Sequence, residues 1–319
     1  MVILEKRKAA TDPKYGHVPD KRPVEELLKY GIIVLNKPKG PTSHQVSAYV
    51  QRILGIEKAG HSGTLDPAVT GVLPVALEWS TRILEYLLSE GKEYVCIARL
   101  HGDVPLGKVY HAVEEMTGKL RQLPPVRSAV KRQWREREVY ELEVLEIDAR
   151  DVLFRMSCQA GTYVRKWCHD LGKKVGVGAN MAELIRTRAG PFTAEQMVSL
   201  QDVEDAVWYW KNEKNDKFIR KCILPVERAV DHLAKVWILD SAVDTVCHGA
   251  LVAVPAIAKV DGSIKKDERV AVLSLKGELV AVGIARLAAG DMVAAARGYA
   301  VKVEKVFLHP GVYPRIPRV

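Results

Sequence analysis

The chain predicts an α+β fold: a mixed, largely antiparallel sheet with helices, followed by a small β-barrel. Three observations predict it. Short apolar runs of strand length alternate with helical patterns through the first half. Two strand-like runs flank Asp148-Ala149-Arg150-Asp151, a hairpin signal. From Trp237 onward the strands become short, β-branched and punctuated by glycine, as in a small barrel.

The elements follow in order. Residues 1–30 mix basic residues with Pro13, Pro19 and Pro23, an extension with little core of its own. Residues 32–35 form a buried strand, stopped by Pro38 and Gly40. Ser43 is placed to cap the next helix. Val46, Tyr49, Val50, Ile53 and Leu54 recur there at helical spacing, and Gly55 ends it. A loop carrying Asp66 leads into an apolar strand at 72–77. Ser80 or Thr81 then caps a helix to Leu88, ended by Gly91. A strand at 94–101 puts Tyr94, Cys96, Ala98 and Leu100 on one face. A helix around 109–116 follows, then strands at 139–147 and 152–159, and a helix from Gly161-Thr162 through Leu171. The polar stretch 211–217 reads as a surface loop near a domain junction. Strands at 252–254, 269–273, 279–284 and 300–306 build the barrel.

Composition sets outer bounds. The 319 residues have room for one large domain and a small one. Apolar residues at 48% and charged residues at 27% are ordinary for a globular protein. A net charge of +9 fits a polyanionic partner or simple solubility, and charge alone leaves both open. Five cysteines, odd in number and without C-x-x-C spacing, argue against a disulfide framework and a zinc site, and fit a reducing cytoplasm. The N-terminus is charged, and no run reaches membrane-spanning length. Phosphate-cradling and dinucleotide-binding glycine motifs are absent from the sequence.

The most informative run is Ala59-Gly60-His61-Ser62-Gly63-Thr64-Leu65-Asp66-Pro67. It sets one carboxylate between a glycine-rich turn and a proline, at the entry of a buried strand. An unselected Asp-Pro most often makes an Asx-turn. Four further segments keep it company: Gly31 to His44 (GIIVLNKPKGPTSH), Lys92-Glu93-Tyr94-Val95, Ala160-Gly161-Thr162-Tyr163-Val164-Arg165, and Ala182-Glu183-Leu184-Ile185-Arg186-Thr187-Arg188. Together, in order and spacing, the five resemble the motifs of the TruB and dyskerin pseudouridine synthases. Residues 235–309 resemble a PUA module, as in the archaeal, dyskerin-like branch. The resemblance covers about residues 20–310.

That resemblance implies a layout, a reaction and roles. The layout is an N-terminal extension (1–30) along the PUA module, a catalytic domain (31–234), a PUA RNA-binding domain (235–310) and a tail (311–319). The reaction turns uridine into pseudouridine in rRNA and tRNA. An H/ACA guide RNA directs it, with guide-free action on the tRNA T-loop left open, and neither cofactor nor metal is required. Asp66 acts as nucleophile or base. A buried carboxylate tends to take up a proton, so Arg165 is expected to keep it ionised. Tyr94 stacks on the flipped base, His61 helps displace it, and Leu184 walls the site. Lys37 supports the Asp66 loop or contacts phosphate. From the residues alone, Arg165 reads first as a solvated side chain, Tyr94 and Leu184 as core residues, and His61 as a turn residue.

Residues 118–137 hold Lys119, Arg121, Arg127, Lys131, Arg132, Arg135 and Arg137 against Glu136 alone, with Pro124-Pro125 excluding a continuous helix. This is a phosphate-contacting loop or a charged hairpin tip; by resemblance it is the thumb loop, with Arg132 and Arg135 on the RNA. Arg315 and Arg318 form a basic tail with Pro314 and Pro317. The implied partners are the guide RNA, a small zinc-ribbon protein, a glycine-arginine-type accessory protein and a kink-turn-binding protein, without a membrane. Two rivals are a catalytically silent RNA-binding scaffold and a PUA-bearing base-exchange transglycosylase; the latter needs a cysteine-histidine zinc cluster that the sequence lacks.

Overall fold

The computed structural model describes residues 2–124 and 131–315. Pro125 and Arg127 of the basic loop, and Pro317 and Arg318 of the tail, lie outside the described residues. The chain begins with β1 (Ile3–Glu5), α1 (Val24–Lys29), β2 (Gly31–Lys37), α2 (Ser43–Leu54), β3 (Ala59–His61), β4 (Thr70–Leu77) and α3 (Leu84–Ser89). It continues with β5 (Lys92–Leu100), α4 (Leu106–Glu115), β6 (Gly118–Gln122), β7 (Arg135–Asp148), β8 (Asp151–Cys158), α5 (Val164–Val175) and β9 (Ala179–Ala189). Then come β10 (Phe192–Thr193), α6 (Leu200–Glu213), α7 (Ile219–Cys222) and β11 (Leu224–Pro225).

These strands form a ten-stranded sheet whose main path runs β11-β2-β4-β9-β5-β8-β7-β6. Every ladder in it is antiparallel except β4–β9, which pairs Thr70 with Ile185 and Gly71 with Arg186. The mixed, largely antiparallel sheet is therefore as the sequence predicts. The tight turn Ala149-Arg150 joins β7 to β8, with Ala149 at φ 50°.

Several local expectations change. Thr42, not Ser43, caps α2: it accepts from the Gln45 N–H, and Gln45 reaches back to it in a capping box. Ser43, one residue on, is buried and serves the Asp66 loop instead. Ser80 and Thr81 cap nothing, because the chain enters α3 through a 3-10 turn at Glu78–Ile83. Helix α5 starts at Val164 and runs on to Val175, past Leu171. Residues 211–213 are the last turn of α6, with Lys214 closing it at φ 56°.

A second, seven-stranded sheet contains β12 (Ala234–Ile238), β13 (Val252–Ala253), β14 (Ile257–Asp261), β15 (Arg269–Leu273), β16 (Leu279–Ala285) and β17 (Tyr299–Val306). Helices α8 (Asp240–Cys247) and α9 (Ala289–Ala294) lie between its strands in sequence. The order is β1-β14-β12-β15-β16-β17-β13, with β12 and β15 parallel. The first strand of the chain thus pairs with β14, and the Lys6 ammonium donates to the carbonyls of Met292, Val293 and Ala295 at the end of α9. The second half of the extension is not coreless: Val24, Leu27 and Leu28 of α1 are buried with α2, α6 and α7.

The C-terminal sheet also shares its buried cluster with the rest of the chain. One contiguous buried cluster runs from Tyr30, Ile32, Ile83 and Leu87 to Val236, Ile238, Phe307 and Leu308. Arg22 and Glu227 add a polar bond across the same seam. Both guanidinium nitrogens donate to the carboxylate at 2.8 Å, Arg22 is 2% exposed, and the Leu279 N–H of β16 donates to the same carboxylate. Removing one partner of such a pair strands a buried charge. Glu227→Gln is expected to lower stability by about 3–5 kcal/mol, read as a shift in the urea midpoint at unchanged slope.

Candidate active site

Asp66 sits between β3 and β4, on a loop held from below. The Ser43 hydroxyl accepts from the Leu65 N–H at 2.9 Å and donates to the Leu65 carbonyl at 3.1 Å. The Lys37 ammonium, fully buried, donates to the carbonyls of Pro38, Pro67 and Val69 at 3.0–3.2 Å. Burial pushes its pKa down, opposed by the Asp66 charge. Lys37 therefore supports the loop; its ammonium is buried and bonded to the chain, so the phosphate-contact alternative is dropped. His61 bridges Ser47 (3.0 Å) and Thr64 (3.3 Å), and burial lowers its pKa, which favours the neutral ring.

The sheet brings Tyr94, Leu184 and Arg186 to the same place. Tyr94 on β5 pairs with Arg186 on β9, and Cys96 with Leu184. Leu184 is buried at 8% exposure beside Leu65 and Val69 of the Asp66 loop, in one cluster with Cys96 and Trp167. Burial raises the Tyr94 pKa, and the Arg186 charge acts the other way.

Helix α5 supplies Arg165. Gln122, at the end of β6, fixes the helix start: its side chain accepts from the Tyr163 N–H at 2.9 Å and donates to the Tyr163 carbonyl at 3.1 Å. Trp167, fully buried, packs on Phe154 at 4.8 Å between ring centroids and anchors the first turn to the sheet. Arg165 Nη1 then lies 3.0 Å from Asp66 Oδ2. The two side chains are 44% and 47% exposed. Asp66 is thus half exposed where the sequence argument took it as buried, and an exposed pair is worth little to stability.

A cavity of about 430 Å³ opens here. Asp66, Tyr94, Arg165, Leu184 and Arg186 line it, with Tyr163 and Lys92. Asp66 is the only carboxylate among the described residues of that lining. His61 and Lys37 lie behind the loop rather than in the lining. Arg132 is exposed beyond β7, and Arg135 is the first residue of that strand. Their neighbour Arg137 comes nearer: a Cβ on Gly161, in the cavity wall, would stand 3.1 Å from its Nε. Among the described residues no His/Cys/Asp/Glu group is arranged to hold a metal.

Arg186 and Lys92 escaped the sequence analysis although both stand in the quoted motifs. The missing step was the strand at Ala179–Ala189: once β9 is recognised, Arg186 shares a face with Leu184 two residues before it. Lys92 reads as an ordinary strand-end lysine, yet it is buried and donates to the carbonyls of Leu87, Leu88 and Glu90.

Burial, and next the Arg186 charge, push the Lys92 pKa down to about 8. An unfolded lysine keeps its proton to about 10.4. Between those values the unfolded state binds more protons, so this group makes stability rise with pH across that window. Lys92→Met should remove that rise, on the order of 3 kcal/mol. Urea midpoints of both proteins at pH 7.5 and 10.5 check it; parallel changes would show that Lys92 does not titrate there.

Comparison with known proteins closes the case for family. The TruB family pseudouridylate synthase N-terminal domain matches residues 51–164, and the tRNA pseudouridylate synthase B C-terminal domain matches 165–231. A PUA domain matches 234–307 and a DKCLD (NUC011) domain 2–47. A probable tRNA pseudouridine synthase B of Pyrococcus abyssi is 53% identical over 99% of this chain and 95% of its own. Its counterpart in Methanothermobacter thermautotrophicus is 50% identical over 99% and 98%. Among solved structures, the archaeal box H/ACA sRNP Nop10–Cbf5 complex has a chain 50% identical, with a TM-score of 0.89 over 99% of this chain and 98% of that one. An H/ACA RNP bound to a substrate RNA containing 2'-deoxyuridine has one 49% identical, with a TM-score of 0.90 over 98% and 96%. With family models matched from residue 51 to 231 and relatives about half identical over nearly its whole length, the chain belongs to the TruB family of pseudouridine synthases, in the form that carries a PUA domain.

Proposed function

We propose that Asp66 carries the isomerisation and that Arg165 keeps it ionised and aimed. The observation that supports this most is the 3.0 Å Arg165–Asp66 pair at the mouth of a cavity with no other lining carboxylate among the described residues. In the reaction the C1′–N1 bond breaks, the base turns, C5 bonds C1′, the C5 proton leaves and N1 gains one. The chain's task is to hold the flipped uracil between the Tyr94 ring and the Leu184 wall while one carboxylate acts at the sugar or on a proton. Base–aromatic stacking on Tyr94 contributes on the order of 1–3 kcal/mol. The intact pair tells against a silent RNA-binding scaffold.

The substrates are uridines of rRNA and tRNA, selected by pairing with an H/ACA guide. Support comes from relatives solved in an H/ACA RNP with substrate RNA and in a Cbf5–Nop10–Gar1 complex. Partners of those two kinds, a zinc-ribbon and a glycine-arginine-type protein, together with a kink-turn-binding protein, complete the particle. Residues 31–234 form the catalytic unit and 235–310 the PUA unit; of the extension 1–30, β1 runs along the PUA unit while α1 packs on the catalytic unit. The β6–β7 hairpin is the thumb, and Arg132, Arg135 and the nearer Arg137 hold phosphates. Five buried free cysteines and the lack, among the described residues, of a helix long and apolar enough to cross a membrane support a cytoplasmic site of action.

Asp66→Asn in an assembled guide particle should bind RNA within twofold of the parent and convert under about 1% as fast, as expected for a group needed only in the transition state. Substantial pseudouridine at saturating RNA would move the chemistry elsewhere. Arg165→Ala should likewise cost turnover rather than affinity; an equal loss in both would make it a backbone contact.

The thumb has its own measurement. Replacing Arg132 and Arg135 by Ala should flatten the salt dependence of substrate binding by about 0.7 per lost single-strand contact. A slope unchanged from the parent would return the hairpin to plain surface charge.

A further inference from the structure

Arg186 is the least explained charge in the cavity. It is 1% exposed, between β4 and β5 in the middle of the sheet. Its Nε donates to the Val72 carbonyl at 2.7 Å, and it stands opposite Tyr94 across the β5–β9 ladder, both lining the cavity. Its Nη2 has no acceptor among the described residues. Nor, among them, does any carboxylate pair with it: Asp66 is taken by Arg165. The neighbouring cation, Lys92, points its ammonium at three carbonyls instead.

A guanidinium without a counter-ion in such a place is costly, and buried charges are ordinarily paired. The chain nevertheless makes room for it. Gly63, three residues before Asp66, lies at φ +71°, and a Cβ there would stand 3.1 Å from Nη1. The loop that presents the reactive carboxylate is thus moulded over this guanidinium. What the site lacks is negative charge, and the reaction makes some. When C1′–N1 breaks, the bonding pair leaves with N1 and spreads over the two carbonyl oxygens of the detached uracil. That charge persists until C5 bonds C1′, which leaves a neutral ring whose C5 proton is then exchanged for one on N1.

We propose that Arg186 is a positioning residue for this isomerisation, acting through the Tyr94 hydroxyl. It fixes the phenol against the base, and through that phenol its uncompensated positive charge reaches the anion formed in mid-reaction. The proposal deepens the assignment of the chemistry to the Asp66 cavity and rests on it. Arg165 and Arg186 then divide the work: one serves the protein's carboxylate, the other the substrate's transient charge. Fixed charge aimed at a developing anion needs no reorganisation during the reaction.

The test is single-turnover pseudouridine formation in the assembled guide particle, with RNA affinity and melting temperature measured alongside. Arg186→Gln should slow turnover about 100-fold, the size of effect seen when a preorganised donor is lost, with affinity within twofold. Arg186→Lys should regain at least about tenfold, because the charge returns. Combining Arg186→Gln with Tyr94→Phe should be no more than about threefold slower than Tyr94→Phe alone, since both remove one contact. Multiplying single effects in the double variant would overturn the proposal. So would equal slowing by Gln and Lys with equal losses of melting temperature, which marks packing alone. Should the Gln variant not fold, the Lys variant enters the same cycle with Tyr94→Phe, and multiplication there overturns the proposal equally. Asp66→Asn in the same assay keeps the failures apart: its activity would sink the cavity assignment, whereas a dead Asp66→Asn beside a parent-like Arg186→Gln sinks only the role of Arg186.

Discussion

The site depends on how closely β9 approaches β4. The two strands meet in parallel over only two residue pairs, and at one of them Gly71 faces Arg186. A Cβ on Gly71 would lie 2.2 Å from the Arg186 carbonyl oxygen, and its φ of +103° suits glycine alone. This bare contact lets β9 sit between β4, which follows the Asp66 loop, and β5, which carries Tyr94. Residues some thirty positions apart in one case and over a hundred in the other thereby share one cavity. The polar groups that hold the loop, Ser43 and Lys37, can then act locally, because the long-range placement is already made by backbone.

Charge is distributed unevenly around that cavity. Cations around the cavity outnumber the single carboxylate among its described lining residues, and the buried ones, Lys37, Lys92 and Arg186, donate to backbone carbonyls. An enzyme acting on a polyanion gains from such a bias twice. RNA is drawn in electrostatically, and negative charge arising on the base meets positive surroundings already in place. The half-exposed Asp66–Arg165 pair fits the same scheme: it contributes little to the fold and is available to a substrate that covers it.

Much of this was legible in the chain. The five motifs named the residues of the cavity, and periodicity found most strands and helices of the large sheet. What stayed hidden had physical causes. The strand β9 carries no clean alternation, since its exposed and buried positions are broken by two register shifts in its pairing with β5. Its buried arginine therefore looked like one more basic residue. Lys37 was ambiguous because a lysine's partners depend on where the backbone carbonyls turn, which no side-chain pattern records. The cap of α2 was displaced by one residue because Thr42 and Ser43 are both competent caps, and Ser43 was needed elsewhere.

The cluster that joins Tyr30, Ile83 and Leu87 to Val236 and Phe307 bears on how such proteins are assembled in evolution. A PUA segment of this chain is not a detachable cassette, since part of its packing partner is written some two hundred residues earlier. Grafting it onto another enzyme would require the recipient to present a matching apolar face, together with an acceptor for the Leu279 N–H. Moved without such a face, the segment would leave Val236, Phe307 and their neighbours without the partners that bury them here.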